Sequence, residues 1–94
     1  MYILRIEHHV PDYDGWKKAF DSDPVGRAKS GVRRHRVLRP TDDAHQVMIE
    51  LEFDTAQQAE ALLAAMRVVW GRVQGIIMMN PQTRIVEVLE NKEY

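Results

Sequence analysis

The sequence contains no cysteine. Disulfides are therefore excluded, and thiolate metal sites with them. A chain of 94 residues without covalent staples buries only a modest core, which leaves pairing of chains as the natural supplement. The lack of cysteine is compatible with a cytoplasmic setting. An excess of one charge is also missing, since 13 Lys and Arg stand against 14 Asp and Glu. Nucleic-acid binders usually carry a basic surplus, so no nucleic-acid partner is expected. No apolar run approaches the roughly 20 residues of a membrane helix. Arg5 and Glu7 interrupt the opening segment, so neither a membrane partner nor a secretory leader is expected. Serine is scarce: Ser22 and Ser30 stand alone, both in helix-end contexts. No serine elbow, Gly-rich phosphate loop or histidine pair at zinc-helix spacing is present. The length fits one domain over residues 1–94, without repeats, low-complexity runs or interdomain linkers.

What is present is a clear change of period along the chain. Tyr2 to Val10 reads as a strand with Leu4, Ile6, His8 and Val10 on one face and Ile3, Arg5, Glu7 and His9 on the other. Asp12 is a good N-cap for a helix in which Tyr13, Trp16 and Phe20 recur at helical spacing. Asp23-Pro24 predicts a second, short helix ending on Gly31, with Gly31 as a left-handed cap. Val32 to Arg39 is a basic strand, followed by turn chemistry at Pro40-Thr41-Asp42-Asp43. Gln46 to Phe53 alternates most cleanly, so these two strands form a hairpin. Thr55 caps a second long helix with an apolar stripe from Ala59 through Leu62, Leu63, Met66, Val69, Trp70 and Val73, and Gly75 is its expected terminator. Ile76 to Met79 is ambiguous, Asn80-Pro81 predicts a turn, and Thr83 to Leu89 predicts the last strand.

The resulting order is βαββαβ. It predicts an α+β, ferredoxin-like fold with a four-stranded antiparallel sheet and two helices on one face. That arrangement leaves the other sheet face uncovered. Ile3 and Met48 lie on that face, and the last strand carries Ile85, Val86, Val88 and Leu89, apolar on both sides. Strands apolar on both faces are usually buried on both faces, so a two-fold homodimer through the open face is expected. A monomer with a few exposed apolar residues is the alternative.

The stretch "DYDGWKKAF", then Gly31 before an Arg-rich strand, then "DDAHQVMIELEFDTAQQAEAL", resembles the dimeric α/β-barrel superfamily. The resemblance covers nearly the whole chain and is most similar to the small antibiotic-biosynthesis-monooxygenase-like and cyclase-like proteins. It implies a ligand cavity between the helices and the sheet of one subunit. It also implies a pocket role for a tryptophan late in the second helix, here Trp70. The heme-degrading branch uses an asparagine, a tryptophan and a histidine at set positions. The first strand here has no asparagine and Ile76 to Met79 has no histidine, so no cofactor is expected.

His8 shares a face with Leu4 and Ile6 and is the candidate catalytic base; a structural, hydrogen-bonded histidine is the alternative. His9 points to the opposite face, so the two cannot ligate one ion within a subunit, and no metal is expected. Trp16 and Trp70 are candidates for substrate contact, with core packing as the default reading of their apolar stripes. His35 and Arg84 are further polar candidates that could face an apolar pocket. The basic strand either binds an anion or pairs with Glu50 and Glu52, with Glu7 and Glu87 as further partners. Two functions stand against each other: a cofactor-independent monooxygenase or cyclase acting on a hydrophobic small molecule, and a non-catalytic ligand-binding or structural homodimer.

Overall fold

Strict alternation of apolar and polar side chains produces the two strands at the centre of the molecule. They are β1 (Tyr2–His9) and β3 (Gln46–Phe53). The computed structural model describes residues 1–73 and 78–94. Its remaining elements are α1 (Tyr13–Asp21), β2 (Arg34–Leu38), α2 (Ala56–Val73) and β4 (Met79–Glu87). The sheet order is β2-β3-β1-β4, with every pair antiparallel. This is the ferredoxin-like arrangement that the element order predicts. Gly75, Ile76 and Ile77 lie outside the described residues.

Local chemistry starts both helices. The Asp12 carboxylate accepts the Gly15 backbone N–H at 3.0 Å and caps α1. Thr55 and Gln58 form a reciprocal capping box at the start of α2. The Gln58 N–H donates to Thr55 Oγ1 and the Thr55 N–H donates to Gln58 Oε1, each at 3.2 Å.

Both helices bury their apolar stripes on the same face of the sheet. Trp16 and Phe20 from α1 join Ala59, Leu62, Leu63, Met66 and Trp70 from α2 over Leu4, Ile6, Val47, Ile49, Leu51 and Phe53. Each fully buried side chain of this size contributes about 1.5–3 kcal/mol.

Three segments differ from expectation. Asp23 does not start a helix. Its φ of 53° is left-handed, whereas an N-cap needs extended backbone. It instead closes α1, donating its N–H to the Phe20 carbonyl at 3.1 Å, and residues 24–30 form turns interrupted by Gly26 at φ 66°. Strand β4 begins at Met79 and runs through the predicted Asn80-Pro81 turn. This is possible because β4 is an edge strand, where proline's missing N–H costs no ladder bond. The register shift against β1 between Glu7 and His9 absorbs the irregularity, with Asn80 at φ 55°. The strand also stops at Glu87, which leaves Leu89 88% exposed. Gly31 has the left-handed backbone expected of it, at φ 98°.

The open face of the sheet is a grid. Its middle row runs Arg36, Glu50, Arg5, Arg84 across the strands. Glu50 pairs with Arg36 and with Arg5, and Glu52 pairs with Arg34. Glu7 and Glu87 cannot join the basic strand, because β2 is hydrogen-bonded to β3 alone; Glu87 instead accepts the Tyr2 hydroxyl at 3.0 Å. Apolar patches flank the charged row, with Ile3 beside Val86 and Met48 beside Leu38.

Candidate functional site

A cavity of about 270 Å³ lies between the helices and the sheet. It is walled by His8 and Ile49 from the sheet, Trp16, Ala19 and Phe20 from α1, and Met66, Val69 and Trp70 from α2. Ser22, Pro24, Val25, Arg27 and Met78 also line it. The volume is near the lower end of the roughly 300–1,000 Å³ of small-molecule sites, and the lining is mostly apolar with few polar groups.

Among the described residues that line it, His8 is the one buried polar residue, 2% exposed. Even parity on β1 puts it on the helix-facing side, opposite Val47. Nδ1 lies 3.2 Å from the His9 carbonyl oxygen. A carbonyl can only accept, so Nδ1 carries the proton and Nε2 keeps its lone pair. The described residues give Nε2 no hydrogen-bond partner. Burial pushes the imidazole below its ordinary 6.5, and the bond to His9 offsets this in part. The result is a neutral imidazole in an apolar surround, the protonation state of a general base.

An aromatic ladder runs along α1. Trp16 meets His8 edge-on at 5.5 Å between centroids, stacks with Phe20 at 5.0 Å, and contacts Tyr13 at 5.8 Å. Spacings of three and four residues on one helix put these rings in a row.

The five residues proposed from sequence separate into three groups. His8, Trp16 and Trp70 come together on the cavity. His35 does not line it. It sits exposed on edge strand β2 and touches the far side of the ladder, 5.3 Å from Phe20. Arg84 is on the wrong face for this pocket. It pairs with Arg5 in the β1–β4 register and lines a separate concavity of about 280 Å³ on the open face, with Glu7, Met48 and Glu50. Period-two alternation assigns Arg84 to the face opposite Ile85, which packs against the core.

Sequence reasoning missed Arg27 altogether. It lies in the turns after α1, where no periodicity reports direction. Phe20 and Met66 were legible only as core. Among the described residues there is no cluster of three or more metal-ligating side chains, and no helix is long and apolar enough to cross a membrane.

The fold and site together define a ferredoxin-like α+β domain with a helix-to-sheet cavity. Solved structures of antibiotic-biosynthesis-monooxygenase-like proteins share that fold with this chain. A point mutant of the cofactor-independent oxygenase SnoaB from Streptomyces nogalater superposes with a TM-score of 0.76 at 12% identity, over 96% of this chain and 94% of that one. The heme-degrader MhuD from Mycobacterium tuberculosis gives 0.67 at 16% identity, over 97% and 99%. A dimeric ferredoxin-like protein from an uncultured marine organism gives 0.69 at 13% identity, over 97% of each chain. No family model matches the sequence, and no curated protein matches it.

Proposed function

We propose that this protein is a cofactor-independent monooxygenase or cyclase acting on a hydrophobic, aromatic small molecule. The observation that carries the reading is a buried, neutral His8 on an apolar cavity walled by Trp16, Phe20 and Trp70. In this mechanism His8 Nε2 takes a proton from a phenol or an activated carbon acid. The aromatic walls hold the ring in place, and exclusion of water keeps the resulting anion from being reprotonated. That anion is the electron-rich species that attacks dioxygen or closes onto a carbonyl of the same molecule. The fold shared with SnoaB, a cofactor-independent oxygenase, supports this direction.

The same reading takes residues 1–94 as one domain working in the cytoplasm as a homodimer. The two chains meet through their open sheet faces and together form a dimeric α/β barrel. Ile3 beside Val86 and Met48 beside Leu38 supply its apolar contacts. The fold shared with a dimeric ferredoxin-like protein is consistent with it.

The test is oxygen uptake or product formation with a panel of polycyclic phenols, comparing the native protein with His8→Ala. Loss of turnover in a variant that keeps its circular dichroism supports the base assignment. Binding without turnover by the native protein selects the non-catalytic alternative. Full activity in His8→Ala overturns the role of His8.

A further inference from the structure

Among the described residues that line the cavity, Arg27 carries the only permanent charge. Its position is built rather than incidental. The guanidinium carbon sits 3.9 Å from the centroid of the Phe20 ring. Nη1 donates to the Phe20 carbonyl at 2.8 Å, and the Arg27 backbone N–H donates to Asp23 Oδ1 at 2.9 Å. The left-handed backbone at Asp23 and Gly26 turns the chain back so that these bonds form. The side chain is 13% exposed.

One edge of the guanidinium remains available. Nε and Nη2 have no hydrogen-bond partner among the described residues, and no sealed polar atom lacks one. Asp23 lies on the Nη1 side at 3.6 Å, is itself partly exposed, and is already engaged by the Arg27 N–H. The Nε–Nη2 edge is the fork that a carboxylate matches with two parallel bonds.

We infer that the cavity is selective for an aromatic acid, whose rings lie against Trp16, Phe20 and Trp70 and whose carboxylate is held by Arg27. This rests on the reading of the cavity as a ligand site, and it adds the chemical class of the ligand. Size agrees with a two-ring acid: an apolar cavity of about 150 Å³ takes up benzene, and this one holds about 270 Å³. A neutral ligand of the same shape covers the guanidinium edge without satisfying its charge, and that mismatch creates the selectivity.

The experiment is calorimetric titration of the full chain with 2-naphthoate and with 2-naphthamide, which has nearly the same shape and no charge. The native protein should bind the acid about tenfold more tightly or better. Arg27→Gln should reduce the preference to less than about twofold. Asp23→Asn keeps the oxygen that accepts from Arg27 but removes the competing charge, and should tighten binding of the acid. If Arg27→Gln fails to fold, the native preference and its response to Asp23→Asn still decide. Equal affinity for acid and amide overturns the inference and leaves the cavity reading standing. A preference that survives in folded Arg27→Gln also overturns it. Failure of both probes to bind overturns the inference together with the cavity reading.

Discussion

The imidazole of His8 meets the indole of Trp16 edge-on, with 5.5 Å between ring centroids and 60° between planes. The contact ties the candidate base to a spectroscopic reporter. An imidazolium beside an excited indole accepts an electron and quenches it; a neutral imidazole does so far less. Because burial holds His8 below its ordinary 6.5, tryptophan emission should fall in an acid step centred below that value. Trp16→Phe should remove the step, and so should His8→Asn. A step at or above 6.5 would contradict the buried, neutral assignment.

The same burial couples His8 to folding. Its folded pKa is lowered, so between the folded and unfolded values the unfolded chain binds more protons. The contribution of His8 to stability is therefore complete above about pH 6.5 and is lost as pH falls toward the folded value. Urea titrations from pH 7.5 down to pH 5 should show His8→Asn to be less acid-sensitive than the native protein. Parallel slopes for the two would show that His8 is solvated in the native state.

The proposed dimer uses the open sheet face. Arg5 and Arg84 oppose each other there as like charges, yet the flanking patches at Ile3 and Met48 are apolar. Light scattering at micromolar concentration should give twice the 10.9 kDa chain mass for the native protein. Met48→Asp should give 10.9 kDa, because an unpaired carboxylate is costly in a buried interface. A native protein that scatters as a 10.9 kDa monomer would refute this.

Ala19 faces the cavity from α1, between the positions of Trp16 and Phe20. Ala19→Leu should extend an aliphatic side chain into the empty space and block uptake of aromatic ligands. Its fold should persist, since leucine is a good helix former and space is open ahead of it. Unchanged ligand affinity in Ala19→Leu would place binding elsewhere.

Gly31 is constrained twice. Its φ is 98°, and a Cβ there would lie 2.6 Å from Nε2 of Gln58, the residue that completes the cap of α2. Gly31→Ala should therefore cost about 1–3 kcal/mol in equilibrium unfolding, from backbone strain and a disturbed cap. A loss below about 0.5 kcal/mol would mean that the loop relaxes freely.

Much of this architecture was legible because its signals are local. The alternation of β3 is read over eight residues, and the observed strand is Gln46–Phe53 as predicted. Asp12 and Thr55 act within three residues of themselves, so both helix starts could be read from the chain. The parity of β1 placed His8 beside Leu4 and Ile6, and alternation makes that face a property of the strand alone. Where a local signal competed with sheet pairing, the sheet prevailed: Asn80-Pro81 has turn chemistry but lies in β4 because an edge strand tolerates it.

Taken alone, then, the sequence determined the four strands, the two long helices and their order, but not the turns at residues 24–30, where it predicted a helix. Tertiary structure decided what meets across the folded molecule. The strand order and registers bring Arg36 and Arg5 to Glu50 and leave Arg84 facing Arg5, on the far side of the sheet from His8. The turns after α1 fold Arg27 back onto Phe20 and into the cavity wall. Periodicity and capping depend on neighbours a few positions away, whereas register and loop placement depend on contacts between residues distant in the chain. Those contacts exist only once the sheet has closed.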